Sequence, residues 1–169
     1  MLIAAVDVAY GPTGAAAACV LFHAWGDAAP ASAHVAAIAE VAAYEPGAFY
    51  KRELPCVLAV LRSLGDARPD VIVIDGYVWL SGGGRPGLGA HLHEALGGAA
   101  IVVGVAKTGF AGGGFAEEVR RGDSARPLYV TAAGVEPAVA AAWIRAMHGP
   151  HRIPTLLKRV DRLCRDAAS

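Results

Sequence analysis

The chain has 169 residues and a formal net charge of zero, with 15 basic and 15 acidic side chains. Hydrophobic residues make up 55% of it and charged residues 18%, which excludes a disordered chain and predicts a single domain over residues 1–169. The neutral charge argues against strong non-specific binding to nucleic acid, and the apolar runs are too short to cross a bilayer. A strand-like segment directly after Met1 and three widely spaced cysteines predict a cytoplasmic protein with free thiols.

The predicted elements begin with strands and continue as alternating helices and strands. Strands are predicted at 1–9, 15–23, 34–41, 71–74, 100–105 and 128–131, and helices at 54–64, 90–96, 137–148 and 154–167. Loops rich in proline or glycine are predicted at 44–49, 76–89 and 109–114. This order predicts an α/β fold, in which helices cover the faces of a mixed sheet.

Three carboxylates in distinctive settings predict a metal site. Asp7 and Asp75 each end an apolar strand-like run, and Glu53 lies at the predicted start of a helix. An acid at the edge of a buried strand costs free energy unless it is hydrogen-bonded, paired or bound to a metal. Mg²⁺ and Mn²⁺ prefer carboxylate oxygens, and divalent cations activate water and stabilise the leaving group when a phosphodiester is hydrolysed. The three acids therefore predict a hydrolytic centre that uses Mg²⁺ or Mn²⁺.

Each acid also has a purely structural interpretation. Asp7 could form a turn or cap, and Asp75 precedes Gly76 in a dipeptide typical of turns. Glu53 at a helix N-terminus could stabilise the helix by up to about 1 kcal/mol. These interpretations remain open on the sequence alone.

The sequence motifs around the acids resemble those of the endonuclease V family, and they extend over nearly the whole chain. They are VDVAY (6–10), YEPGAFYKRELP (44–55), DG (75–76), GVAK (104–107), RPLYV (126–130) and RIP (152–154) followed by Asp161. The resemblance implies a ribonuclease H-like fold and a Mg²⁺-dependent endonuclease. It also implies a nick in DNA or RNA on the 3′ side of inosine, which is deaminated adenine.

The resemblance further implies roles for individual residues. Asp7, Glu53 and Asp75 match the metal-binding catalytic acids, and Lys107 matches a lysine near the scissile phosphate, where its charge neutralises phosphoryl oxygens. Tyr44 matches a wedge that fills the gap left by an extracted base. The substrate-binding positions are Tyr44, Pro46, Gly47 and Gly76. The implied partner is nucleic acid that contains inosine, bound by a monomer.

The chain departs from the family pattern at two places. Val135 stands where the family has a histidine that serves the metal site, and Glu136 after it offers a replacement acid. The family's His-Pro-Arg element is altered around Arg85, and His91 or His93 could stand for its histidine, although each is predicted to lie on the surface. These departures motivate an alternative hypothesis, a protein that binds nucleic acid without efficient cleavage. A third hypothesis is an enzyme for a different modified base.

Overall fold

The computed structural model describes residues 1–110 and 113–169. They form an α/β fold, in which a mixed β-sheet has helices on both faces. The strands are β1 (Ile3–Gly11), β2 (Gly14–Phe22), β3 (Ser32–Ile38), β4 (Val71–Asp75), β5 (Ile101–Ala106), β6 (Glu117–Val119) and β7 (Leu128–Ala133). The helices are α1 (Tyr50–Arg62), α2 (Leu88–Ala95), α3 (Pro137–Ala146) and α4 (Thr155–Ala168). The seven strands lie in the order β3-β2-β1-β4-β5-β7-β6. The predicted fold class is confirmed.

The three central strands are parallel, so their ends define two edges of the sheet. In the register of β1, β4 and β5, Val6 pairs with Ile74, and Asp75 pairs with Val105. Asp75 ends β4, Lys107 directly follows β5, and Asp7 lies level with them in the middle of β1, where its pairing with β4 stops. We call this side of the sheet the carboxyl edge. The opposite end, which carries Ile3, Val71 and Ile101, is the amino edge.

Successive side chains of each strand point to opposite faces of the sheet, so they pack into two separate hydrophobic cores. In β4, Val71 and Val73 face one core, while Ile72 and Ile74 face the other. Such two-sided burial is the reason for an uninterrupted apolar run in a parallel strand. Helices α3 and α4 cover the first face and α1 and α2 cover the second. None of the helices in this described part of the chain is both long and apolar enough to cross a membrane.

The segment after β4 is pinned to the sheet. The Val78 amide donates to Thr131 Oγ1 at 2.8 Å, and Trp79 Nε1 donates to the Ala132 carbonyl at 2.9 Å. Gly104 makes room for this segment, because a β-carbon there would lie 2.5 Å from the Gly76 carbonyl oxygen. The first part of the loop predicted at 76–89, from Gly76 to Trp79, is thus a fixed cover over the sheet, and it holds Asp75 and Gly76 in place.

Several predicted boundaries are wrong for identifiable reasons. Helix α1 begins at Tyr50 rather than residue 54, because the apolar spacing reveals only its buried face. Pro55 therefore lies inside the helix and not in its first turn. Strand β3 spans Ser32–Ile38 instead of 34–41, and α3 ends at Ala146. Strand β6 was not predicted, since two of its three residues are exposed glutamates. Of the loop predicted at 109–114, residues 111–112 lie outside the described part of the chain.

Candidate active site

Asp7 and Asp75 lie on neighbouring strands at the carboxyl edge. Asp7 is only 9% exposed and accepts a hydrogen bond of 2.9 Å from the Val8 amide to Oδ1. Burial, followed by the nearby charges of Asp75 and Asp161, raises the pKa of Asp7 to about 7. Asp75 is more exposed, and its Oδ2 lies 3.6 Å from Lys107 Nζ. One of the two acids is thus deeply buried, while the other faces a cation and solvent.

Glu53 approaches the same point from the first turn of α1. It is 7% exposed, and its Oε2 has no hydrogen-bond partner among the described residues. The guanidinium carbon of the neighbouring Arg52 lies 4.0 Å from the centroid of the Tyr10 ring, and Arg52 forms no ion pair with Glu53 among the described residues, although its charge partly offsets the rise in the pKa of Glu53. Burial, then the charges of Asp7 and Asp75, raises the pKa of Glu53 to about 8. A buried carboxylate oxygen without a donor, beside two other acids, fits a divalent cation.

A fourth acid, Asp161, reaches this centre from α4. Ligand atoms of Asp7, Asp161 and Cys164 all lie within 4.8 Å of one another. Burial raises the pKa of Cys164 to about 12, so this residue is a neutral thiol at ordinary pH. Asp161 is therefore the added oxygen donor. Asp161 belongs to the last motif that resembles the family, but it was not predicted to be a metal ligand.

A cavity of about 300 Å³ opens over Asp7, Asp75 and Asp161, while Glu53 does not line it. Its floor consists of residues of the central strands, including Asp7 and Asp75, and its far wall is the start of α4. Its basic side chains are Lys107, Arg152 and Lys158. Acids that could hold a cation and bases that could hold a phosphate thus line one cavity.

A second cavity, of about 330 Å³, adjoins the first at Asp75. Gly47 and Gly76 line it, and the rings of Phe49, Tyr50, Tyr77 and Phe110 supply flat apolar walls. Two of the four predicted substrate-binding residues, Gly47 and Gly76, thus meet beside the acids. The other two do not line either cavity: Pro46 is exposed and Tyr44 is 63% exposed.

Known proteins resemble this chain over most of its length. A family model described as Endonuclease V matches residues 1–150. An endonuclease V from Streptomyces avermitilis is 35% identical over 190 aligned positions, which cover 98% of this chain and 80% of the relative.

The chain belongs to the endonuclease V family.

Solved endonuclease V structures show the same fold. The crystal structure of the Streptomyces avermitilis protein has a TM-score of 0.79 at 30% identity and covers 99% of this chain and 81% of its own. A Ciona intestinalis endonuclease V, in complex with DNA that contains an inosine followed by a ribo-adenosine, has a TM-score of 0.83 at 17% identity. That match covers 99% of this chain and 85% of the other and shows the fold alone. The fold is ribonuclease H-like, and the family makes this chain a nuclease.

The interpretation of Val135 as a gap in an endonuclease V metal site is wrong. Strand β7 runs antiparallel to β5, so Tyr129 lies level with Ala106 while Ala133 lies level with Val102. Gly134 accordingly contacts Ile101 at the amino edge. Because strands rise about 3.3 Å per residue, Val135 is roughly 15 Å from the acids. Val135 packs on the core and Glu136 is exposed, so neither replaces a metal-site residue.

The two histidines of α2 are also occupied by structural contacts. The His91 ring stacks on Tyr50 with 3.6 Å between the ring centroids. His93 Nδ1 lies 2.9 Å from the Ala100 carbonyl oxygen, next to the amino edge. Both are half-buried rather than surface residues. Arg85, in contrast, lines the second cavity.

Two arginines fix the segment that leads into α4. Neither was predicted to have a role at the site. Arg121 is 7% exposed, and its guanidinium donates to the carbonyls of Met147, Gly149, His151 and Arg152 at 2.6–3.3 Å. Arg152 in turn donates to the carbonyls of Lys107, Arg126 and Pro127. These contacts tie the start of α4 to the ends of β5 and β7, and so they set the position of Asp161.

Proposed function

We propose that this chain is a Mg²⁺-dependent endonuclease that nicks DNA or RNA on the 3′ side of inosine. The observation that carries the proposal is the approach of Asp7, Glu53 and Asp75 at the carboxyl edge, with a buried Glu53 oxygen that lacks any described donor. Mutual repulsion of these acids is relieved most directly by a divalent cation. Mg²⁺ is the expected ion and Mn²⁺ a substitute, because both favour carboxylate oxygens.

In this proposal Asp7, Glu53, Asp75 and Asp161 hold the cation. When bound, a divalent cation supplies charge stabilisation at the attacking and leaving oxygens and lowers the pKa of water. The side chains themselves fix its place: Asp7 is held by the Val8 amide, and Asp161 is held by the docking of α4 on β1. Since all four acids are oxygen donors, the set suits a hard cation better than zinc.

Lys107 provides the positive charge for the phosphate. Its ammonium group lies 3.6 Å from Asp75 Oδ2, and its side chain is 42% exposed, so it can turn from the acid toward a bound phosphate. A lysine at this position neutralises charge that develops on the phosphoryl oxygens.

The second cavity receives the extruded base. It adjoins the acids at Asp75, so a base held there places a neighbouring phosphate over the acid centre. Aromatic walls stack on a base, and Gly47 and Gly76 allow close approach of the backbone. Tyr44 is exposed on the loop that leads to this cavity, as a wedge for the stack must be.

The direct test is a nicking assay with an inosine-containing oligonucleotide, with and without Mg²⁺. We expect Asp75→Asn and Glu53→Gln to lower the nicking rate by about a thousandfold or more, because each removes a cation ligand. Asp70→Asn is the matched control, since Asp70 lies at the amino edge, where its Oδ2 accepts from the Leu2 amide at 2.7 Å. Near-normal nicking by both site variants, with circular dichroism showing an intact fold, would sink the proposal.

The alternative is a nucleic-acid binder without efficient cleavage. It was motivated by Val135, by the altered element around Arg85 and by the neutral net charge, and of these Val135 lies at the amino edge away from the acids. A gel-shift experiment beside the nicking assay separates the two functions, because a binder retains the inosine oligonucleotide and leaves it uncut. A panel of other modified bases tests the third hypothesis in the same format.

A further inference from the structure

Helix α4 carries a basic stripe that the proposed catalytic centre does not use in full. Lys158, Arg162 and Arg165 are spaced by three and four residues, so they lie on one face of the helix, and all are exposed. Arg165 pairs with Asp161 at 2.8 Å. Lys158, Arg162 and the neighbouring Arg159 form no ion pair with any residue that the structure describes. Their charge is therefore available to a partner.

The stripe borders a groove that opens into the acid cavity. The groove has a volume of about 590 Å³ and runs along α4 past Arg159, Arg162 and Arg165. Four residues line both the groove and the acid cavity: His151, Ile153, Lys158 and Asp161. A chain that leaves the acid cavity on this side lies directly against the basic stripe.

The groove and the proposed base cavity lie on opposite faces of the sheet. The base cavity is built from the segments around α1 and α2, and the groove is built from α4 and the segment before it. The acids stand at the sheet edge between them, and Asp75 and Asp161 each border one of the two neighbours. A nucleic-acid strand that crosses this edge therefore meets base cavity, acids and groove in that order.

We propose that the α4 groove binds backbone phosphates of the substrate strand on the 3′ side of the cut. The polarity of the bound strand rests on the proposed function. If the cut is 3′ to the extruded base, the strand runs in the 5′-to-3′ direction from the base cavity to the acids, and the groove beyond the acids receives its 3′ part. The stripe from Lys158 to Arg165 spans about 10 Å at 1.5 Å per residue. At about 3.4 Å of duplex axis per nucleotide, that length matches at most about three consecutive phosphates of one strand.

The test uses single-stranded DNA probes that contain inosine and end either about two or about ten nucleotides beyond the cut on the 3′ side, a range that brackets the stripe. Binding is measured by fluorescence anisotropy with Ca²⁺ in place of Mg²⁺, and a gel verifies that each probe stays intact. We expect wild-type protein to bind the long-flank probe roughly tenfold more tightly. Lengthening the 5′ flank instead gives no comparable gain.

The double variant Arg159→Gln/Arg162→Gln removes two groove charges without touching the acids. We expect it to lose most of the preference for the long 3′ flank. Its salt slope becomes shallower by about 1.4, at about 0.7 per phosphate contact on a single strand. Wild type then loses about sevenfold more affinity than the variant between about 50 mM and about 200 mM salt.

The matched control is Arg62→Gln/Arg68→Gln, which removes two charges from a cavity at the amino edge. It keeps both the flank preference and the salt slope of the wild type. Equal binding of short and long 3′ flanks by wild type, or an equal effect of the control pair, overturns the groove assignment. Failure of the wild type to nick inosine in Mg²⁺ overturns the proposed function instead, so the two failures are distinct.

Discussion

The two edges of the central sheet are made from the same three strands and have opposite properties. At the amino edge the acid Asp70 accepts a bond of 2.7 Å from the Leu2 amide, and a nearby cavity is lined by leucines together with Arg62 and Arg68. At the carboxyl edge acids crowd together, and a buried Glu53 oxygen lacks a described donor. Such crowding lowers the stability of the folded chain. One end of the sheet therefore stabilises the fold, while the other carries an electrostatic cost that fits the proposed chemistry.

The largest effect on stability is expected where the carboxyl edge is held together. Arg121→Met leaves the carbonyls of residues 147, 149, 151 and 152 without their guanidinium donor in a buried place. We expect a loss of about 4 kcal/mol in the free energy of unfolding, measured with urea. Arg68→Met is the control at the amino edge, where an exposed arginine also donates to two carbonyls, and it should cost less than about 0.5 kcal/mol. Equal losses in the two variants would break the comparison.

The acid crowding predicts that stability falls as pH rises when divalent metal is absent. Burial, reinforced by neighbouring carboxylates, raises the pKa of Glu53 to about 8 and that of Asp7 to about 7. The folded chain therefore keeps protons that the unfolded chain loses above about pH 4.5, so the free energy of unfolding decreases from there to about pH 8. We expect a total decrease of several kcal/mol in EDTA, because each pKa unit on each acid corresponds to about 1.4 kcal/mol.

The same measurement isolates the carboxyl edge as the source of this pH dependence. Glu53→Gln should flatten the decrease, since a neutral amide has no proton to lose. Added Mg²⁺ should raise stability more at pH 8 than at pH 5, because the acids must be ionised to bind it. A free energy of unfolding that increases across this range in EDTA contradicts the expected sign.

A smaller effect is expected from the glycine under the cover of the site. Gly104→Ala places a methyl group within 3.0 Å of Gly76, Val78 and Thr131, and it must push the segment after β4 away from the sheet. We expect a cost of about 2 kcal/mol by urea unfolding, with a parallel loss of nicking as Asp75 shifts. Gly26→Ala is the control, because a β-carbon there meets open space. Unchanged stability in Gly104→Ala would show that the cover is loose.

The smallest effect on stability is expected at Tyr44. This side chain is 63% exposed, so Tyr44→Ala should change the free energy of unfolding by less than about 0.5 kcal/mol. As a wedge, however, Tyr44 acts only where a base must leave a stack. We expect a loss of nicking of about tenfold on duplex substrate and little loss on single strands. Equal losses on both substrates would assign Tyr44 to binding rather than to base extrusion.

The carboxyl edge was more predictable from sequence than the contacts that complete it. Asp7 and Asp75 stand out because each is an acid in an apolar run that must be a strand. Asp75 does end β4, but Asp7 lies in the middle of β1, and only the parallel register of the two strands brings it beside Asp75. Asp161 was overlooked as a ligand because it lies on an amphipathic helix among basic residues, where an acid resembles a solvated partner. Its side chain points toward the other acids only because α4 packs on β1, and the local sequence pattern does not indicate how the helix packs.

The direction of a strand was equally hidden. Val135 was predicted to lie at the metal site from the order of the sequence motifs. Strand β7 runs antiparallel to β5, however, and so Val135 lies at the amino edge. Strand order and direction follow from long-range packing, which a single sequence does not display. Strand β6 escaped prediction for a related reason, since its pairing with β7 replaces the apolar alternation that usually marks a strand.

The acids at the carboxyl edge come from β1, α1, β4 and α4, which lie far apart along the sequence. The Asp7–Asp161 contact in particular joins the first strand to the fourth helix. An incompletely folded molecule in which α4 has not docked on β1 cannot assemble the full set of four carboxylates. If the proposed chemistry needs all four carboxylates, molecules that are incompletely folded or damaged have no nuclease activity. Cleavage of nucleic acid then indicates that the whole chain has folded.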